Sequence, residues 1–231
     1  MTPTGTVTGA IIGNARSFIW WEWIFRRPGE IWQRTVEHVQ MTVVAVGIGL
    51  AISTVLSLIA VRYRWTYAPI TWIGSLLYTI PSLALFVALI PYTGLGFVTA
   101  QIALVSYTIL ILVRNIVAGI DGVPAAVREA ADGMGYTRAR RLWSVELPLA
   151  LPTIVAGVRI ASVTVIGLVT ITALIGNGGY GTFINDGLNR QFSTPIVLGA
   201  TLSVALAVLV DAALVLFERW LTPWARRRST L

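Results

Sequence analysis

The chain has no cysteine, no lysine and only one histidine in 231 residues. Without cysteine there is no disulfide framework, no thiol nucleophile and no thiolate metal site. The lone imidazole, His38, has few carboxylates near it and cannot assemble a metal centre, so it reads as structural or interfacial. The missing lysine also rules out a Gly-x4-Gly-Lys-Ser/Thr phosphate loop, so the chain is not expected to hydrolyse ATP itself. Charge is scarce: 12% of residues are charged, against about a quarter in soluble domains. The acids are few and lie mostly in loops, and no Ser/His/Asp or paired-carboxylate arrangement offers itself for catalysis. There is no internal repeat or low-complexity segment. The Met-Thr-Pro-Thr start lacks the basic region and short apolar core of a cleaved signal, so the N-terminus is expected to be kept.

What remains is strongly apolar, with 56% hydrophobic residues and a mean hydropathy of +0.78. That composition fits an all-α, polytopic membrane protein, not a soluble globule. Five spans are expected, over about 39–61, 70–90, 97–118, 151–174 and 196–217. Each approaches the length needed to cross a hydrocarbon core of ~30 Å. Pro91-Tyr92-Thr93-Gly94 makes a tight turn between the second and third. Residues 1–38 are interrupted by Asn14 and Arg16, and they set Trp20, Trp21, Trp23 and Trp32 among Glu22, Arg26, Arg27 and Glu30. That mixture reads as an interfacial segment. Residues 39–220 form one transmembrane domain, and 221–231 a basic tail.

Arginine placement orients the chain. Arg62 and Arg64, then Arg128, Arg138, Arg140 and Arg141, then Arg219 and Arg226 to Arg228, fall on one side of a five-span protein. That side is expected to be the cytoplasm, with the N-terminus outside and the C-terminus inside. Arg190 and the N-terminal Arg16, Arg26, Arg27 and Arg34 weigh against it. The net charge of +7 is thus a topology signal, since no aromatic-interleaved basic stripe points to nucleic acid.

The polar stretch from Pro124 to Pro152 carries most of the charge of the second half. Val127, Ala130, Ala131 and Met134 recur at helical spacing and predict a short amphipathic helix. Pro124 suits its first turn, and Gly133 and Gly135 stop it. Thr137 is a plausible N-cap for a second short helix running to about Trp143. The order Glu129-Ala130-Ala131, three residues, Gly135, nine residues, Val145-Glu146-Leu147-Pro148 resembles the EAA loop of ABC importer permeases. Val145 stands where isoleucine is commoner. The resemblance implies a five-helix permease core with a cytoplasmic coupling loop over 119–150. Glu129, Ala130, Ala131, Gly135, Leu147 and Pro148 would dock it into a groove of an ATP-hydrolysing partner.

Other stretches narrow the resemblance: Glu37-His38, Tyr78-Thr79-Ile80-Pro81-Ser82-Leu83-Ala84, Ile175-Gly176-Asn177-Gly178-Gly179-Tyr180-Gly181, and Glu146 to Pro152. Together they resemble the osmoprotectant branch of these permeases, which imports glycine betaine, carnitine or choline, over roughly residues 35–220. Read on their own, Pro81 breaks a span, and such breaks face protein or a water-filled path. Tyr78 and Ser82 would then line a pathway or gate, or the proline is a packing kink. Gly178 and Gly179 belong to an outer gate or to a tight re-entrant turn. Arg159 and Asp211 lie within spans at similar depth, roughly 13 Å at ~1.5 Å per residue. They are expected to face the bundle interior and to pair. Arg114, nearer the cytoplasmic edge, can snorkel.

The resemblance implies a translocation subunit of an ABC importer for osmoprotectants in the bacterial cytoplasmic membrane. It would work with a second permease subunit, identical or a sister, a pair of ATPase subunits and an extracytoplasmic binding protein. ATP and Mg would act in the ATPase, with no cofactor in this chain. Tyr78, Tyr107 and Tyr180 are available for a quaternary ammonium. The alternatives are a methionine-type amino-acid importer and a non-transporting scaffold or channel.

Overall fold

A computed structural model describes residues 19–223. The expectations for residues 1–18 and for the tail beyond 223 lie outside the described residues. Among those described there are helices and no strand. A short helix α1 (Trp21–Phe25) precedes α2 (Pro28–Arg62), which begins well ahead of the expected Val39. Pro28 sits in its first turn, where a missing N–H is harmless. Residues 28–38, expected at the interface, are thus the opening turns of the first membrane-crossing helix.

The expected second span, 70–90, is two helices, α3 (Tyr67–Thr79) and α4 (Ser82–Thr93). They are bent by 98° from one another, far more than a kink. Pro81 lacks an N–H and forces Ile80 into extended backbone, at φ −62° and ψ 128°. Pro81 is extended too, so the chain leaves the helix for two residues and re-enters it in a new direction.

Helix α5 (Phe97–Asp121) is the hub. Leu104, Leu112, Val113, Ile116 and Ile120 on it are almost wholly buried. Helix α2 lies against it along Ala45, Gly49, Ser53 and Ser57, spaced every fourth residue and all buried. A Cβ on Gly49 would overlap Thr108 Oγ1 of α5. Small residues on one stripe let two backbones approach where lipid supplies no hydrophobic drive. Gly157 makes the same kind of approach between α8 (Leu147–Val169) and Asn115 of α5.

Side-chain bonds fix the direction of each pass. Gln101 near the start of α5 donates to Met41 O in the first half of α2. Arg64, just past the end of α2, pairs with Asp121 at the end of α5. The two helices are therefore parallel, so residues 67–93 must cross the whole thickness between them. The bent pair is a broken span, not a loop that dips and returns. Helix α8 runs back, with Gly119 of α5 close to Ala150 near its start. After it come a 3-10 turn (Thr170–Ile175), a short helix α9 (Gly181–Asn189) and α10 (Ser193–Leu221). Helix α10 is antiparallel to α8: Gly199 early in α10 lies against Tyr180 beyond the end of α8, and farther along α10 Asp211 pairs with Arg159 nearer the start of α8. Five passes result, and the groups of Arg62 to Arg64, 122–146 and Arg219 share one side. Helix α9 fills a stretch that periodicity leaves unassigned.

Candidate functional site: a coupling loop and a broken span

On the arginine-rich side, the polar loop folds as α6 (Ala125–Gly133), α7 (Arg138–Arg141) and a π-helical turn over Leu142–Glu146. Pro124 is the N-cap of α6, and Thr137 Oγ1 caps α7 by accepting from Arg140 N–H at 3.3 Å. Helix α6 ends at Gly133, and Gly135 takes a φ of +77°, which only glycine adopts without strain. Nothing lies within 4 Å of where a Gly135 Cβ would be, so the position faces open space.

The apolar face expected on α6 is split. Glu129, Ala130 and Gly135 are exposed, and Met134 stands just past the helix with 68% of its surface open. Ala131 is instead buried, with its carbonyl accepting from Tyr136 N–H at 3.1 Å. Ala131 therefore turns its methyl into the loop itself, unlike the open Glu129, Ala130 and Gly135. Leu147 and Pro148 form the first turn of α8, where Leu147 packs on the cluster of Leu112, Ile116 and Ile120. They anchor the loop. Spacing alone places Met134 on the helix face, whereas the helix stops at Gly133 and leaves Met134 exposed beyond it.

At the break in the second pass, Tyr107 of α5 donates its hydroxyl to the freed Ile80 carbonyl. A carbonyl released in a span needs such a donor. Tyr78 lies edge-on to Tyr107, with ring centroids 5.8 Å apart, and is itself open. Ser82, Pro81 and Tyr78 thus share one elbow. Arg114 of α5 reaches to Ser75 Oγ on α3 at 3.3 Å.

Arg159 and Asp211 do pair, through two bonds of 2.8 and 3.0 Å, and Glu218 is 3.8 Å from the same guanidinium. The expected interior position needs correcting for a single chain. The side chains are 30% and 38% exposed and border a groove of about 380 Å³ with Ala156, Ile160, Val163 and Thr164. They sit at the outer surface because α8 turns its other face to α5.

The family described as "Binding-protein-dependent transport system inner membrane component" matches residues 45–223. This chain belongs to that family. The choline transport system permease protein OpuBB of Bacillus subtilis (strain 168) is 37% identical over 200 residues, covering 87% of this chain and 92% of that one. The osmoprotectant import permease protein OsmW of Salmonella typhimurium is 37% identical, covering 82% and 90%. OpuCB of Bacillus subtilis, a glycine betaine/carnitine/choline transport system permease protein, is 35% identical, covering 84% and 90%. Among solved structures, an inward-facing MetNI methionine ABC transporter chain superposes with a TM-score of 0.72 at 24% identity, covering 87% and 97%. It supports the fold of a multi-pass importer permease.

At the opposite end of this permease, Gly178 and Gly179 belong to a clasp. Gly179 N–H donates to Glu37 Oε2 at 2.9 Å, and Arg34 donates to the same oxygen at 2.9 Å. A Cβ on Gly178 would strike the Glu37 carboxylate. His38 is fully buried, accepts from Tyr180 N–H at Nδ1 (3.2 Å) and so donates from Nε2 to Ile166 O (3.0 Å). The Tyr180 hydroxyl donates to Thr35 Oγ1 at 3.1 Å. The glycines let the turn settle onto α2, and His38 is structural. Tyr107 and Tyr180 spend their hydroxyls on the fold, leaving Tyr78 as the open one of the three tyrosines.

Proposed function

We propose that this chain is the translocation subunit of an importer for quaternary-ammonium osmoprotectants such as glycine betaine, choline or carnitine. The identity of 35–37% to three such permeases over most of the chain carries that reading. The methionine transporter shares the fold at lower identity, which gives its substrate no comparable support. Tyr78 at the break presents an open aromatic edge and face of the kind that attracts a quaternary ammonium.

The chain works in the bacterial cytoplasmic membrane, with α6 and α7 in the cytoplasm and the Glu37–Gly179 clasp outside. The excess of arginine on the α6 side supports this orientation. The exposed Glu129, Ala130, Met134 and Gly135 dock on a partner ATPase, which binds ATP and Mg. A binding protein delivers the substrate to the outer face. A second permease subunit covers the Arg159–Asp211 face. The pair lies ~15–18 Å from the ends of its helices, at 1.5 Å per residue. An ion pair about a third open to lipid at that depth is costly, whereas a protein neighbour or a water-filled path relieves it. ATP closure of the ATPase pair moves α6 and α7 and biases the spans between two packed states.

The Gly135→Arg variant tests the docking surface. Arginine strains a left-handed backbone and fills the open space the partner needs. Uptake should fall at least about tenfold, within the usual range of inter-site coupling. Undiminished uptake and undiminished recovery of the ATPase with the variant would contradict the docking role.

A further inference from the structure

The π-helical turn between α7 and α8 has a consequence for how motion passes through the loop. Arg141 precedes the turn and Glu146 ends it, and Arg141 Nε donates to Glu146 Oε1 at 2.9 Å. In an α-helix, residues five apart point about 140° away from each other, at 100° per residue. A π turn, with its i to i+5 bonding, brings them onto one side. The wide turn therefore favours the ion pair, and the ion pair favours the wide turn.

Glu146 is 5% exposed, and the pair's other connections reach every part of the loop. Arg141 also pairs with Asp132 of α6. Arg128 of α6 caps α5, donating to Ile120 O at 2.7 Å and Asp121 O at 3.0 Å. Its Nε is buried without a hydrogen bond and lies 3.8 Å from Glu146 Oε1. One carboxylate thus sits among α5, α6, α7 and the start of α8. A buried carboxylate between two guanidiniums is held far more firmly than an exposed pair such as Arg64–Asp121.

We infer that Glu146 is the positioning residue that makes the coupling loop and α8 move as one body. The inference rests on the proposed role of α6 as the ATPase dock. Without the carboxylate, the π turn becomes a soft joint. Displacement of α6 is then absorbed in the turn instead of reaching α8. ATP is still hydrolysed, but less substrate moves for each turnover. Glu146 itself touches neither partner nor substrate.

The experiment uses the complete transporter, with its ATPase and binding protein, in proteoliposomes. Uptake of labelled glycine betaine and of labelled choline, and ATP hydrolysis, are measured in the same vesicles for the unmodified complex, Glu146→Gln, Arg141→Gln and the double variant. The substrate taken up per ATP should fall at least about fivefold in each single variant, the low end of ordinary coupling between sites. The double variant should be no worse than the worse single one, because both remove one link. Glu22→Gln, at the far end of the chain, should leave the ratio unchanged. A merely structural role would lower uptake and hydrolysis together and keep their ratio. An unchanged ratio in Arg141→Gln overturns the inference even where Glu146→Gln does not assemble. If the unmodified complex takes up neither compound, the functional reading fails, and the inference with it. Normal uptake by the unmodified complex with unaltered ratios in the variants overturns the inference alone.

Discussion

Tyr107 shows how much one hydroxyl carries here. It supplies a donor to the Ile80 carbonyl, which the extended break at Ile80 and Pro81 leaves outside the helical ladder, and it does so from another helix. Tyr107→Phe should remove the partner of the half-buried Ile80 carbonyl and lower stability by about 0.5–1.5 kcal/mol, the net worth of such a bond. A lower thermal midpoint in detergent would register it, and an unchanged midpoint would contradict the bracing role. Gly178→Ala should open the outer clasp, since its Cβ meets the Glu37 carboxylate. Overpacking of this kind costs about 1–3 kcal/mol, and the same melt reads it. Neither role was legible in the sequence. The partners lie 27 and more than 140 positions apart, and no local pattern ties them. The Arg159–Asp211 pairing was legible, because two opposite charges at equal depth in apolar runs have few other options.

The elements divide in the same way. Long apolar runs with breaks announce α2, α5, α8 and α10, since length and hydropathy are what a bilayer demands. Pro81 announced an interruption but not a bend of 98°. That angle depends on Ile80 and Pro81 both being extended and on α5 bracing the elbow. Helix α9 is short and carries Asn185, Asp186 and Gly187, so no apolar run marks it. Met134 misled because helical spacing continues past the residue where the helix ends. The stripe of Ala45, Gly49, Ser53 and Ser57 is where α2 meets α5 most closely. Gly49→Val should push the helices apart and cost about 1–3 kcal/mol. Reduced recovery of folded protein would show it, and full recovery with an unchanged melt would contradict the close-packed seam.

At the scale of the molecule, five passes leave α10 little covered by its own chain and put an ion pair on the open side of α8. Lipid can cover the apolar α10, but the ion pair asks for a protein neighbour or a water-filled path, which the proposed second subunit would supply. Asp211→Asn leaves Arg159 with Glu218, at 3.8 Å, as its one carboxylate partner among the described residues, so assembly with the proposed second subunit should weaken. A lower yield of the intact complex on size-exclusion chromatography checks this, and unchanged assembly and transport would place the pair outside any interface. The fold is shared with a methionine transporter, so the substrate is the claim with the most at stake. ATP-dependent uptake in proteoliposomes carrying this chain, its ATPase and its binding protein decides it, with labelled glycine betaine and labelled methionine compared side by side. The account predicts uptake of glycine betaine that stops without ATP, and none of methionine. Methionine uptake without betaine uptake would contradict it.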